Sequence, residues 1–200
     1  MADRKNVLFL CTGNSARSII AEGLLRHLGG DRYRAFSAGS KPKSAPHTGA
    51  LAILVEKGID VGFAQSKNWD VFAGVDAPQM DLVITVCGNA ADETCPVWPG
   101  HPHMAHWGID DPADASGADA VATAFAIAYA RLHDRVSAFL ALEANSMTAQ
   151  MDAIRAKPRT APVPESAAGS DNEEEEPRMA RLARLASGSA PKAVETTELD

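Results

Sequence analysis

The hydrophobic pattern of the chain alternates between short apolar runs and longer segments in which apolar residues recur three and four positions apart. Short apolar runs bounded by turn residues are typical of buried strands, whereas the three-and-four spacing indicates amphipathic helices. Strands that alternate with helices form parallel β-α-β units with right-handed crossovers. The pattern therefore predicts an α/β fold built on a parallel sheet.

The same pattern places the individual elements. We expect strands at Lys5–Leu10, Arg34–Ala38, Asp81–Val86 and His103–Trp107. We expect helices at Ala16–Leu28, Pro46–Lys57 and Ala118–Leu142, with a shorter helix around Trp69. Gly29, Gly30 and Gly58 follow the first two helices and are typical C-terminal stops.

The composition changes after about Asn145, where prolines and the four-glutamate run Glu173–Glu176 appear. Such a segment cannot bury enough apolar surface to fold. We therefore expect one folded catalytic domain over residues 1–144 and a largely disordered tail over residues 145–200. The tail includes a segment near 177–187 that could form a short helix, and we assign no chemistry to it.

Overall composition narrows the function classes. The chain is 46% hydrophobic and carries a formal net charge of −7, which argues against a nucleic-acid partner. No apolar run reaches membrane-spanning length, and the first residues lack the pattern of a signal peptide. We expect a cytoplasmic protein with no membrane partner. Structural disulfides are rare in that compartment, so the three cysteines are expected to be reactive or simply buried.

The most informative segment is CTGNSARS, Cys11–Ser18, which follows an apolar strand and opens a helix. This segment is called the anion loop below. Its backbone N–H groups and the positive end of the helix dipole converge on one point, where a tetrahedral oxyanion would bind. The guanidinium of Arg17 can donate hydrogen bonds to two oxygens of the oxyanion. The positive electrostatic field of the helix dipole and of Arg17 also favours the thiolate of Cys11, which is the nucleophile. The predicted binding residues are Thr12, Gly13, Asn14, Ser15, Ala16, Arg17 and Ser18.

A carboxylic acid follows the last predicted strand. Asp111 precedes Pro112, and proline holds the preceding residue extended, so that its side chain can point across the anion site. A general acid there would protonate an oxygen displaced by Cys11. Asp110 is the second candidate for this role.

Two more cysteines, Cys87 and Cys95, follow the third predicted strand. Zinc binding with the nearby His101, His103 and His106 is one interpretation, although the ligand spacing is unusual for zinc. Two inert thiols are another. A redox pair is favoured, because a reductase must supply two electrons whereas a phosphatase needs no further thiols. Cys11, Cys87 and the loop after Trp107 should meet at one sheet edge, because each follows a predicted strand.

The Cys-x5-Arg spacing and the stretch VLFLCTGNSARSIIAE resemble the active-site loop of the low-molecular-weight protein tyrosine phosphatase superfamily, and within it the thiol-dependent arsenate reductases. The resemblance implies a three-layer sandwich with a four-stranded parallel sheet flanked by helices. It also implies reduction of arsenate by Cys11, with Asp111 as general acid, a relay through Cys87 and Cys95, and thioredoxin as electron donor. No metal or organic cofactor is implied.

The resemblance further implies supporting roles. Ser18 would donate a hydrogen bond to the Cys11 thiolate, and Asn14 would brace the loop. Some relatives bind potassium behind this loop, and Asn14, Glu22 and Ser37 match three ligand positions. Lys67 falls where a fourth, acidic ligand is expected, so its ammonium group could replace the ion and we predict no bound metal.

Three alternatives remain open. A phosphotyrosine phosphatase would use Cys11, Arg17 and Asp111, but Ala113 stands where such enzymes tend to carry an aromatic residue. A reductase that draws electrons from glutathione or mycothiol would not need Cys95. A sensor that binds arsenite through the three cysteines would need an output module, for which only the acidic tail is available.

Overall fold

The computed structural model describes residues 4–87 and 98–156, and from residue 145 onward it describes the backbone alone. Its sheet has four strands: β1 (Lys5–Leu10), β2 (Tyr33–Ala38), β3 (Leu82–Thr85) and β4 (His103–His106). All neighbouring strands are parallel, in the order β2-β1-β3-β4. The prediction of a four-stranded parallel α/β fold is therefore confirmed.

β1 lies inside the sheet and pairs with β2 on one side and β3 on the other. Its residues Val7 to Leu10 have no exposed surface. An unbroken apolar run is what a strand with both faces covered requires, because neither face meets water. The carboxyl end of β1 consequently opens at the middle of the sheet edge, and Cys11 is the next residue.

Three helices pack on one face of this sheet: α1 (Arg17–Gly29), α2 (Thr48–Glu56) and α3 (Ala118–Ala156). The core between helices and sheet contains the large aromatic residues Phe9, Trp107, Phe125 and Phe139, each at most 1% exposed. Phe125 stacks on His47, with ring centroids 4.7 Å apart, and thereby fixes the start of α2 against α3.

The opposite face of the sheet carries a smaller apolar cluster. Leu8, Leu10 and Val83 point to this side and pack with Phe72, Met80 and Trp98. In the part of the chain that the structure describes, the cover of this face consists of the 3-10 helix Trp69–Phe72 and of loops. The short helix predicted around Trp69 corresponds to this 3-10 helix.

Two features refine the predicted elements. Gly58, with φ of +72°, follows α2 in the left-handed conformation expected for a helix stop. Helix α3 continues to Ala156, beyond the predicted end at Leu142, so its backbone includes residues 145–156 of the predicted tail. This segment is rich in helix-forming residues, and the next proline is Pro158. The remaining tail, with the segment near 177–187, lies outside the described residues.

Among the described helices, none has the combination of length and apolar character that crossing a membrane requires.

Candidate active site

The anion loop joins the carboxyl end of β1 to the start of α1. Cys11 is 3% exposed, and α1 begins at Arg17. Ala16 stands at the N-cap position and has no side chain with which to cap the helix. No capping side chain at Ala16 thus competes for the N–H groups of the first helical turn, and an oxyanion is an acceptor that such groups bind well. The loop lies between a strand and a helix, as the sequence predicted, and oxyanion binding by Cys11–Ser18 stays a prediction.

Asn14 braces the loop from inside. Its φ is +39°, a left-handed conformation that asparagine tolerates better than most residues, and its side chain is fully buried. Its amide nitrogen donates to the hydroxyls of Ser18 and Ser37, at 2.9 Å each. Its amide oxygen accepts a 2.8 Å hydrogen bond from the backbone N–H of Lys67. The loop is thereby tied to α1, to β2 and to the segment before the 3-10 helix.

Two further residues shape the loop, and the sequence analysis missed both. The Ser66 hydroxyl donates a 2.7 Å hydrogen bond to the carbonyl oxygen of Asn14. Gly39 passes so close to the loop that a Cβ there would lie 2.5 Å from the carbonyl oxygen of Thr12 and 2.6 Å from that of Cys11. No local pattern marks Ser66, and the signal at Gly39 was only a glycine directly after a strand.

The Cys11 sulfur lies 3.0 Å from the hydroxyl of Ser18. Burial raises the pKa of the Cys11 thiol, while hydrogen bonding from Ser18 and the charge of Arg17 act in the opposite direction. This net direction differs from our expectation that the loop favours the thiolate. The cause is the nearly complete burial of the sulfur, which removes the water that would solvate its charge.

Arg17 and Asp111 are in direct contact. One terminal nitrogen of the guanidinium donates to a carboxylate oxygen of Asp111, and the other donates to the Ile109 carbonyl oxygen at 3.0 Å. The second Asp111 oxygen accepts a 3.1 Å hydrogen bond from the backbone N–H of Ala113. Both oxygens of Asp111 are thus held in place at the edge of the anion loop.

Asp110 faces away from the loop. Its side chain is 92% exposed and pairs with Arg131 on α3, with a nitrogen–oxygen distance of 2.6 Å. The structure therefore brings Asp111, and not the neighbouring Asp110, to the anion loop.

Cys87 lies beside the anion loop. Its sulfur is 3.8 Å from the hydroxyl of Thr12, and the residue is 2% exposed. The charge of Cys87 makes a smaller contribution to the raised pKa of Cys11 than burial does. Cys95, the third cysteine of the predicted relay, lies outside the described residues.

Glu22 occupies the region behind the loop and is 1% exposed. It accepts hydrogen bonds from Ser37, at 2.6 Å, and from Arg26, at 3.0 Å, and the Lys67 ammonium nitrogen lies 4.0 Å away. Burial raises the pKa of Glu22 and lowers that of Lys67, while their mutual attraction opposes both shifts. Asn14 and Ser37, the other predicted ligand positions, are hydrogen-bonded to each other in the same region.

The histidines considered as zinc ligands are spread along and before β4. His106 is engaged with Thr85, its Nδ1 lying 2.8 Å from the threonine hydroxyl. Across residues 4–87 and 98–156, no three His, Cys, Asp or Glu side chains are grouped so that they could hold a metal ion.

The fold and the loop together define a class: α/β proteins that place a cysteine and an arginine in the loop between the first strand of a parallel sheet and the helix that follows it. The site contains a buried sulfur, a guanidinium and a carboxylate, which are the kinds of group that substitution at a tetrahedral oxyanion uses.

Comparison with known proteins agrees with this class. Residues 6–152 match the low molecular weight phosphotyrosine protein phosphatase family. An arsenate reductase of Bacillus subtilis (strain 168) is 38% identical over 134 residues, which are 67% of this chain and 91% of that protein. The chain belongs to this phosphatase family, and its sequence places it with the family's arsenate reductases.

Two solved structures are also similar. An arsenate reductase in an oxidized state is 30% identical, with a TM-score of 0.55 and coverage of 66% of this chain and 93% of that chain. An arsenate reductase in an intermediate state is 30% identical, with a TM-score of 0.54 and coverage of 68% and 97%. Both likenesses extend over nearly the whole of the other chain.

Proposed function

We propose that this protein reduces arsenate to arsenite by a relay of three cysteines and that thioredoxin restores the reduced enzyme. The observation that carries the proposal is the position of Cys87, a second buried thiol whose sulfur lies 3.8 Å from the Thr12 hydroxyl of the anion loop. A phosphatase needs one sulfur, whereas a reductase must supply two electrons. Similarity to arsenate reductases supports the same choice.

The first step is nucleophilic substitution at arsenic. Arsenate resembles phosphate in charge and shape and binds in the anion loop. The Cys11 thiolate attacks arsenic, a sulfur–arsenic bond forms, and one arsenic–oxygen bond breaks. Asp111 protonates the departing hydroxide, which leaves as water. Arg17 and the loop N–H groups stabilise charge on the remaining oxygens.

The second step transfers the electrons. The Cys87 thiolate attacks the Cys11 sulfur of the adduct, forming a Cys11–Cys87 disulfide and breaking the sulfur–arsenic bond. The electron pair of that bond stays on arsenic, which is reduced from As(V) to As(III) and leaves as arsenite. The two thiols are oxidised to the disulfide, so the electrons balance.

The third step regenerates the free Cys11 thiolate. The Cys95 thiolate attacks the Cys87 sulfur, which releases the Cys11 thiolate and leaves a Cys87–Cys95 disulfide. Thioredoxin, a dithiol protein, reduces this disulfide by thiol–disulfide exchange. After the attack on arsenic, each remaining step is a transfer between sulfur atoms, the last of them to thioredoxin.

A phosphotyrosine phosphatase is the second candidate, because the anion loop and Asp111 serve both reactions. Ala113 argues against it as the main activity. Its backbone N–H is hydrogen-bonded to Asp111, and its methyl group offers no ring to flank a phenyl substrate. We propose weak residual hydrolysis of aryl phosphates as a side activity of the same loop.

The proposal is tested by following arsenate-dependent NADPH consumption with thioredoxin and thioredoxin reductase. We expect turnover by the wild-type chain. Cys87→Ser should release no arsenite while retaining hydrolysis of p-nitrophenyl phosphate, which shows that its anion loop is intact. Cys95→Ser should release one arsenite per chain and then stop, because the Cys11–Cys87 disulfide is trapped.

The alternatives give different results in the same assays. Full arsenate turnover by Cys95→Ser with glutathione and glutaredoxin would favour the low-molecular-weight thiol route. Phosphatase turnover with no arsenite release by the wild-type chain would make the protein a hydrolase.

A further inference from the structure

The segment after β2 follows the anion loop closely. The backbone N–H of Lys41 donates to the Thr12 carbonyl oxygen at 2.9 Å, and that of Lys43 donates to the Gly13 carbonyl oxygen at 2.9 Å. A third hydrogen bond, of 2.8 Å, joins His47 N–H to the Ser15 carbonyl oxygen. Because the two backbones are tied at three points, the backbone of this segment holds a defined position relative to the anion loop.

The side chain of Lys43 lies across Gly13. A Cβ placed on Gly13 would be 3.5 Å from Cγ and 3.7 Å from Cε of Lys43, which is ordinary van der Waals contact. The apolar stem therefore packs against the loop and carries the ammonium group, one bond beyond Cε, to its rim. Such packing is the usual way in which a lysine stem covers a surface while its charge stays in water.

The charge of Lys43 has no structural partner in the described part of the chain. Lys5, Lys57 and Lys67 each lie within 4.0 Å of a carboxylate oxygen, whereas none of the ion pairs formed by residues 4–87 and 98–144 includes Lys43. The residue is exposed, in a protein of net charge −7. An uncompensated cation at the rim of an anion-binding loop is free to act on an approaching anion.

We propose that Lys43 captures the doubly charged oxyanion electrostatically and guides it into the anion loop, without taking part in the sulfur chemistry. The choice of arsenate as the substrate rests on the proposed function, whereas the binding of a tetrahedral dianion rests on the loop itself. A rim cation raises the local concentration of an anion and its rate of entry, and salt screens both effects.

Two variants separate the charge of Lys43 from its packing. Lys43→Met keeps an apolar stem over Gly13 and removes the charge, while Lys43→Arg keeps the charge. Arg34→Met is the matched control, because it removes the same single positive charge. Arg34 is exposed and lies near the amino end of β2, at the edge of the sheet opposite to the anion loop. Thermal midpoints within about 2 °C of the wild type show that each variant is folded.

We expect Lys43→Met to lower kcat/KM for arsenate about three- to tenfold at low ionic strength, because a solvated cation attracts a dianion by only modest energies. The loss should appear in KM, with kcat within about twofold, and should largely vanish in about 0.5 M salt. Lys43→Arg and Arg34→Met should stay within about twofold of the wild type. A kcat loss, a salt-independent loss, or an equal loss in Arg34→Met would overturn the proposal.

Binding of inorganic phosphate, measured by calorimetry, separates this inference from the proposed function. If the wild-type chain binds phosphate but does not reduce arsenate, the proposed function fails, and weaker phosphate binding by Lys43→Met still supports the capture role. If Lys43→Met binds phosphate as tightly as the wild type at low salt, the capture role fails, whatever the enzyme does with arsenate.

Discussion

The hydroxyl of Ser18 connects the sulfur of Cys11, 3.0 Å away, to the amide nitrogen of Asn14, 2.9 Å away. Because the Asn14 nitrogen can only donate, Ser18 accepts from it and keeps its own hydrogen for the sulfur. The same amide donates to Ser37, which in turn donates to Glu22. A buried series of hydrogen bonds thus fixes the direction of the one that reaches the nucleophile.

Ser18→Ala should make Cys11 a weaker nucleophile. The hydrogen bond from Ser18 lowers the pKa of Cys11, so its removal raises that pKa further and leaves less thiolate at neutral pH. We expect turnover to fall roughly ten- to a hundredfold, the usual effect of losing a hydrogen bond to a charged group. Raising the pH should recover part of the loss, because deprotonation of Cys11 then becomes easier.

The measurement for Ser18 is the rate of Cys11 alkylation by iodoacetamide against pH, in a background with Cys87→Ser and Cys95→Ser. Ser44→Ala, at an exposed position of the neighbouring segment, is the control. An alkylation profile that Ser18→Ala leaves unmoved would show that the hydroxyl does not act on the sulfur.

Asp111→Asn should slow the first chemical step by roughly a hundredfold, within the range typical of losing a general acid. Asn keeps an oxygen that can accept from Ala113, so the turn at Pro112 should persist. Asp110→Asn provides the matched control, because its carboxylate pairs with Arg131 at the surface, and it should stay within about twofold of the wild type. Single-turnover arsenite release and p-nitrophenyl phosphate hydrolysis are the readouts. The reverse ranking would transfer the acid role to Asp110.

Gly39→Ala should distort the anion loop. A Cβ at this position would lie 2.5 Å from the Thr12 carbonyl oxygen and 2.9 Å from the Asn14 nitrogen, both of which are backbone atoms that cannot move independently. We expect a loss of about 1–3 kcal/mol in the free energy of unfolding and weaker phosphate binding. Gly74→Ala, where a new Cβ meets nothing within 4 Å, should be nearly neutral. Urea denaturation and phosphate calorimetry check both variants, and equal stability of the two would contradict the proposed crowding.

Lys67→Met tests the cation behind the loop. Without the ammonium, Arg26 is the one charged partner that Glu22 keeps among the described residues, and we expect a loss of roughly 1–2 kcal/mol in the free energy of unfolding near neutral pH. Burial already raises the pKa of Glu22, and removal of Lys67 raises it further. A carboxyl whose pKa is raised in the folded state destabilises the fold above its ordinary pKa. The difference in the free energy of unfolding between the wild type and Lys67→Met should therefore grow as pH rises and shrink as Glu22 becomes protonated.

Urea denaturation at about pH 5 and about pH 8 measures the effect of Lys67→Met. In the wild type, replacing NaCl by KCl should leave the midpoint unchanged if, as we propose, the Lys67 ammonium takes the place of a potassium ion. A potassium-dependent midpoint in the wild type would show that an ion binds there despite Lys67.

The sequence predicted the fold well because its signals are local. The apolar run of β1 and the helical spacing around Phe125 can each be recognised within a few residues. Since the carboxyl ends of parallel strands lie at one edge of a sheet, these elements also predict that Cys87 and Asp111 lie near Cys11. The end of α3 was misjudged because a change of composition was treated as the boundary, although helix-forming residues continue to Ala156.

The features that the sequence analysis missed depend on contacts between distant segments. Ser66 and Lys43 reach the anion loop only through tertiary packing, which no periodicity reports. The pKa of Cys11 was expected in the wrong direction for a related reason. The charges and dipoles of the loop can be seen in the sequence, whereas the depth at which the sulfur is buried depends on the whole fold.

The burial of Cys11 has a consequence for survival of the protein under oxidative stress. Peroxide attacks thiolates far faster than neutral thiols, and over-oxidation to sulfinic or sulfonic acid cannot be reversed by ordinary thiol reductants. Cys11 is 3% exposed, and burial raises the pKa of its thiol, so its sulfur is poorly accessible to such oxidants. We therefore expect the burial of Cys11 to protect its sulfur from irreversible oxidation while no substrate is bound.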